Sequence, residues 1–133
     1  IINEERIMGK SKLILVTGCS SGFGKAAVPM LLEKGYRVIA GLRGGAEKLT
    51  EVMPEIVARY GSQLTAWDLH LDRPETFSKW SQKIVEDHDG ELDVLINNAG
   101  FGLLGPAEEA SEAQIREQFE VNFFGPVLLT QKV

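Results

Sequence analysis

The sequence has one cysteine, two tyrosines, two histidines and no surplus of positive charge. The lone Cys19 excludes a disulfide framework and suits a reducing compartment, so the chain reads as cytoplasmic. Fourteen Lys and Arg against nineteen Asp and Glu give a net charge of −5, which argues against nucleic acid as a partner: no basic stripe can displace counterions from its backbone. No apolar run approaches the length of a membrane span. His70 and His88 lack metal-ligand spacing, and Asp87-His88-Asp89-Gly90 is too short for a calcium loop, so no metal site is expected. Asn3, Glu4, Glu5 and Arg6 do not read as a signal peptide. Met8-Gly9-Lys10-Ser11-Lys12 reads as a native start, which makes 1–12 an N-terminal extension, its first seven residues upstream or added sequence. Leu13 stands where a myristoylation signal needs Ser or Thr.

Against these absences stands one glycine-rich stretch, Thr17-Gly18-Cys19-Ser20-Ser21-Gly22-Phe23-Gly24, directly behind the apolar run Leu13–Val16. A short β-branched strand leading through three glycines into an apolar helix is a phosphate-binding turn. Gly18 lets the chain turn sharply, Gly22 removes a Cβ where a pyrophosphate would press, and Gly24 lets helix and strand pack closely. The free N–H groups of the first helical turn and the positive end of its dipole then face the anion. Gly22-Phe23-Gly24-Lys25-Ala26-Ala27 fits G-x-G-x-x-A. A mononucleotide P-loop is rejected, because five residues separate Gly18 from Gly24 and Ala26 follows Lys25 where a magnesium-binding hydroxyl is required.

The remaining chain alternates. Phe23–Lys34 reads as a helix with a kink at Pro29, and Tyr36–Leu42 as a strand. Glu47–Arg59 is a more polar helix interrupted by Pro54, and Leu64–Leu69 a third strand. Phe77, Trp80 and Ile84 give a sheet-covering stripe to a helix over Glu75–Asp87. Leu92–Ile96 resembles a strand buried on both faces, and Ser111 an N-cap for a last helix through Ile115, Phe119 and Phe123. The order β-α-β-α-β-α-β-α predicts an α/β fold of Rossmann type, a doubly wound parallel sheet over residues 13–133, ending inside the fourth helix.

Three motifs in order resemble the short-chain dehydrogenase/reductase family: Thr17-Gly-x-x-x-Gly22-x-Gly24, Asn97-Asn98-Ala99-Gly100 behind the fourth strand, and Asn122 in Val121-Asn122-Phe123-Phe124-Gly125. The resemblance implies an oxidoreductase that interconverts an alcohol and a carbonyl compound by hydride transfer with a nicotinamide cofactor. It implies that Gly18, Ser20, Ser21, Gly22, Phe23 and Gly24 hold the pyrophosphate and ribose. Asn97, Ala99 and Gly100 would then line the cofactor wall, and Asn122 would hold a relay water in the proton path. Asn122 also reads physically as a poor helix former mid-helix, which a helical distortion would suit.

At the end of the second strand an acid would bind the ribose 2′-OH, whereas an arginine would meet a 2′-phosphate. Leu42 occupies the acid's position and Arg43 follows, so NADP(H) is favoured over NAD(H). Ser21, where many NADP-preferring relatives carry a basic residue, weighs the other way. Asp68-Leu69 resembles the family's adenine-contacting pair, with Asp72 a second register.

The family's Tyr-x-x-x-Lys pair is absent: Tyr36 is followed four residues on by Ala40, and Tyr60 by Leu64. The chain therefore reads as the cofactor half of a longer enzyme, inactive alone, with a non-catalytic NADP-binding or regulatory module as the alternative. Phe101-Gly102-Leu103-Leu104-Gly105-Pro106 gives an apolar entrance that hints at a hydrophobic substrate, as in steroid- and retinoid-type reductases, and the family implies a homo-oligomer. Glu108, Glu109 and Glu112 read as helix-start charges. The strand order expected for the family, 3-2-1-4, leaves the fourth strand an open apolar edge.

Overall fold

The computed structural model describes residues 11–133; the reading of the first seven residues as added sequence lies outside them. Among the described residues four parallel strands form one sheet: β1 (Leu13–Thr17), β2 (Arg37–Leu42), β3 (Leu64–Asp68) and β4 (Val94–Ile96), in the order β3-β2-β1-β4. This is the expected α/β doubly wound arrangement.

The inner strands β1 and β2 are apolar on both sides and are covered on both faces. Ile14, Val16, Val38 and Ala40 face α1 (Gly22–Glu33) and α2 (Gly45–Val52), meeting Val28, Leu32, Leu49 and Met53. Leu13, Leu15, Ile39 and Trp67 face the opposite layer. There Phe77, Trp80 and Ile84 of α4 (Phe77–His88) form the predicted stripe, joined by Leu129 of α6 (Gly125–Thr130). Trp67 and Trp80 stack at 4.6 Å between ring centroids.

The structure corrects several boundaries. The helix expected over Glu47–Arg59 is two helices, α2 and α3 (Pro54–Tyr60). Pro54 has no N–H to continue α2 and drives Met53 out of the helical region, to φ −141° and ψ 54°, while serving well in the first turn of α3. Pro29, by contrast, lies within an unbroken α1. The fourth strand is shorter than Leu92–Ile96 and is not buried on both faces: among the described residues it pairs with β1 alone, and Val94 is 38% exposed.

The last helix is three pieces: α5 (Glu112–Phe119), a single π turn (Glu120–Phe124) and α6. Ser111 and Gln114 close a reciprocal capping box at the start of α5. Ile115, Phe119, Phe123, Phe124 and Val127 along these pieces remain substantially exposed. Together with the unpaired side of β4 they make an apolar surface that soluble proteins cover. The isolated 133-residue chain is therefore expected to self-associate. Light scattering checks this; a monodisperse 14.6 kDa species with a cooperative melt contradicts it.

Candidate functional site

The glycine turn leaves β1 at the centre of the sheet, where the chain passes to β2 on one side and to β4 on the other. Crevices at the carboxyl ends of strands form at this kind of switch point. Gly18 (φ +74°) turns the chain, and its N–H donates to the Gly41 carbonyl of β2 at 2.8 Å. Ser21, extended at the N-cap position of α1, makes no side-chain cap, so the first N–H groups of this 12-residue helix are left for another acceptor.

The three glycines do different jobs. A Cβ on Gly24 would lie 2.3 Å from the Gly18 carbonyl oxygen and 2.5 Å from Asn98 Nδ2. One on Gly18 would lie 2.7 Å from Ala99 Cα. Gly22 (φ +54°) has nothing within 4 Å of that position, so it opens onto free space. Two glycines seal the turn against its neighbours; the third keeps the approach clear.

The segment after β4 is bound to the end of β1 through Thr17, which is 1% exposed. Thr17 Oγ1 accepts from the N–H groups of Asn98 and Ala99, both at 3.0 Å. Asn98 Nδ2 returns donation to the carbonyls of Thr17 (2.9 Å) and Gly18 (3.2 Å). Asn97 faces elsewhere, donating from Nδ2 to Thr130 Oγ1 of α6 at 3.1 Å.

Asn122 lies in the π turn, so the distortion expected at a mid-helix asparagine is present. Its side chain clasps one residue at both ends: Oδ1 accepts from Phe101 N–H at 2.9 Å and Nδ2 donates to the Phe101 carbonyl at 2.6 Å. Gly100 admits the clasp, since a Cβ there would stand 3.1 Å from Asn122 Oδ1.

These elements frame a cleft of about 520 Å³, within the range of small-molecule and cofactor sites. Of the residues singled out from the sequence, Gly18, Ser20, Ser21, Gly22, Phe23, Arg43, Leu69, Ala99 and Gly100 line it. Gly24, Asp68, Asn97 and Asn122 do not: Gly24 packs beneath the turn, Asn97 bonds the Thr130 side chain, Asn122 holds the Phe101 backbone, and Asp68 engages Gly44 and His70. Neither tyrosine reaches the cleft; both pack against the core on the α1 side.

A family model described as short chain dehydrogenase matches residues 12–133. The chain belongs to the short-chain dehydrogenase family. It is 36% identical over 129 residues to the uncharacterized oxidoreductase YbbO of Escherichia coli strain K12, covering 96% of this chain and 44% of that protein. It is 37% identical over 127 residues to human retinol dehydrogenase 8, covering 92% of this chain and 39% of that protein. Among solved structures, a short-chain dehydrogenase from Streptomyces avermitilis superposes with a TM-score of 0.82 at 34% identity, covering 94% of this chain and 43% of that one. The chain thus spans about two-fifths of the length of these relatives.

Sequence reasoning passed over Thr17 and Asn98 as site residues, although both stand inside the motifs that mark the family. It also passed over Leu71 and Glu117, which line the cleft without a motif of their own; Asp72, the second register for the adenine contact, and Phe101, of the apolar entrance, line it as well. Cys19 is fully buried, with Sγ 3.0 Å from the Val16 carbonyl, and burial pushes its thiol up to about 12, partly opposed by the Gly41 backbone. A thiol so held is a poor nucleophile. Among the described residues no group of three His, Cys, Asp or Glu is placed to hold a metal, and no helix is long and apolar enough to cross a membrane.

Proposed function

We propose that this chain forms the cofactor-binding part of an NADP(H)-dependent alcohol/carbonyl oxidoreductase, and that residues 13–133 are the N-terminal portion of one Rossmann domain behind a short extension. The observation that carries the cofactor choice is the end of β2. Leu42 is buried at 3% exposure where a ribose-binding acid would stand, and Arg43 is exposed on the cleft, with no ion-pair partner among the described residues. An unpaired guanidinium at this place suits a 2′-phosphate, and no carboxylate at position 42 opposes one.

The cradle fits the rest of such a cofactor. The free N–H groups at the start of α1 and the open approach over Gly22 suit a pyrophosphate, and Ala99 and Gly100 give a wall without bulk. When bound, the nicotinamide supplies the hydride; the chain's own residues bind and orient it. Asn122 holds Phe101, at the apolar side of the cleft, in one backbone geometry, which suits a fixed substrate entrance. Exposed Phe101, Leu103 and Leu104 favour a hydrophobic substrate, and the name of retinol dehydrogenase 8 points the same way. A free, buried cysteine suits the cytoplasm, and the exposed faces of α5 and α6 suit a homo-oligomer.

The alternative, a non-catalytic NADP-binding or regulatory module, is favoured by one observation, the lack of Tyr-x-x-x-Lys among the 133 residues. Reading the complete open reading frame decides between them: a frame that carries Tyr-x-x-x-Lys about thirty residues beyond Val133 supports the enzyme, and one that does not supports the module. The cofactor is tested by Arg43→Ala in the product of that frame. Losing charge-assisted bonds to a phosphate should weaken NADPH binding by about 10–100-fold and leave NADH little changed, measured by calorimetric titration. Unchanged NADPH affinity relative to NADH sinks the NADP(H) assignment.

A further inference from the structure

Asp68 ends β3 opposite Leu42, the last residue of β2. Its carboxylate is turned to the bend that follows β2. Oδ1 accepts from Gly44 N–H at 2.8 Å and stands 3.0 Å from His70 Nε2. Gly44 and Gly45 hold φ of +88° and +51°, so the chain reverses immediately behind Arg43 in a conformation that needs glycine. A Cβ on Gly45 would lie 3.2 Å from Asp68 Cβ, so bend and aspartate are packed together as well as bonded. The N-cap position of α2 is Gly44 itself, with no side chain of its own to hold the bend. The Gly44 N–H, ahead of partial desolvation acting the other way and of attraction from His70 and Lys79, holds the Asp68 carboxyl below its ordinary range.

We propose that Asp68 is a positioning residue for cofactor choice: by clamping Gly44 N–H it fixes the direction in which Arg43 leaves β2, and so sets the preference for NADP(H) over NAD(H). The inference rests on the reading of Arg43 given above. It gives Asp68 a task other than the adenine contact that the family resemblance implies, and it leaves Leu69, which lines the cleft, as the neighbour of the ring.

Charge and position make opposite predictions here. Deleting a carboxylate near a phosphate would, by charge alone, raise NADPH affinity. A clamp lost with it would lower that affinity. Dissociation constants for NADPH and NADH are measured by calorimetric titration on the product of the complete reading frame and its Arg43→Ala, Asp68→Ala, Asp68→Asn and combined Arg43→Ala/Asp68→Ala variants. Asp68→Ala is expected to lower the NADPH-over-NADH preference by about 3–10-fold, the worth of one hydrogen bond. Asp68→Asn, which keeps an acceptor for Gly44 N–H and drops the charge, is expected to keep or raise it. In the Arg43→Ala background Asp68→Ala should change the preference no further. Equal losses for both cofactors, additive with Arg43→Ala, assign Asp68 to the adenine and overturn the clamp. A preference that Arg43→Ala shifts and Asp68→Ala does not also overturns the clamp and spares the NADP(H) reading. A preference that Arg43→Ala leaves unmoved overturns both.

Discussion

Gly24→Ala is expected to destabilise the protein by about 3 kcal/mol or more, whereas Gly22→Ala, two residues away in the same turn, should cost only about 1–2 kcal/mol. The difference lies in what each new methyl meets. At position 24 it would stand 2.3 Å from the Gly18 carbonyl oxygen and 2.5 Å from Asn98 Nδ2. The first of these is backbone, held in place by donation from Asn98 Nδ2 at 3.2 Å and, through its peptide plane, by the Cys19 N–H bond to the Gly41 carbonyl, so it has no rotamer to change. Relief requires α1 to move away from β1, opening the packing of Val28 and Leu32 on Val16. At position 22 the methyl points into open space and the cost is the left-handed backbone alone. Cofactor binding should separate the two the other way. Gly22→Ala keeps its fold and loses at least about tenfold in NADPH affinity, because the methyl occupies the approach to the helix N-terminus. Urea unfolding of the complete reading-frame product, paired with NADPH titration, checks both halves. A Gly24→Ala protein as stable as the parent contradicts the sealing role, and a Gly22→Ala protein that binds NADPH normally contradicts the open approach.

This division between glycines explains what was legible in the sequence and what was not. Strand–turn–helix chemistry is local, so the glycine-rich turn, the alternation of strands and helices and the layered sheet could be read from spacing alone. Asn122 was legible for the same reason: an asparagine in mid-helix just before Gly125-Pro126 disturbs its own hydrogen-bond ladder, and a π turn stands there. Pro54 marks an interruption in the sequence without showing how far it reaches. Its effect on the preceding residue is enough to end α2, and Met53 leaves the helical region. The apolar run before Asn97 reads as a strand buried on both faces because composition does not report what packs on a strand; its place at the open edge follows the family's strand order, and there Val94 is left exposed. Asp68 was hardest, since the side to which its carboxylate turns follows from the Leu42–Asp68 register and from two left-handed glycines 23 and 24 residues earlier.

Thr17→Val should be nearly as damaging as Gly24→Ala, although it changes no volume and places no atom in conflict. Thr17 is fully buried at the end of β1, and its hydroxyl is the acceptor for two consecutive backbone N–H groups, those of Asn98 and Ala99. Its own proton points to the Ile96 carbonyl, a long contact at 3.4 Å. Valine fills the same space and offers no acceptor, so two N–H groups in a partly buried segment lose their partner together. At about 1–3 kcal/mol for each of the two unsatisfied groups, the expected loss is about 2–6 kcal/mol. The damage should also reach the cleft, because Ala99 and Gly100 form its wall and are held at their near end through Thr17. Thr17→Ser retains the oxygen and removes only a methyl, so it should recover most of the stability and the cofactor affinity. That recovery distinguishes the hydrogen bonds from simple packing: if Ser and Val at position 17 destabilise alike in urea unfolding, the methyl matters and the hydroxyl does not. If Val destabilises alone, the threonine at the head of the glycine motif is there to fasten the second motif to it, across 81 and 82 residues of chain.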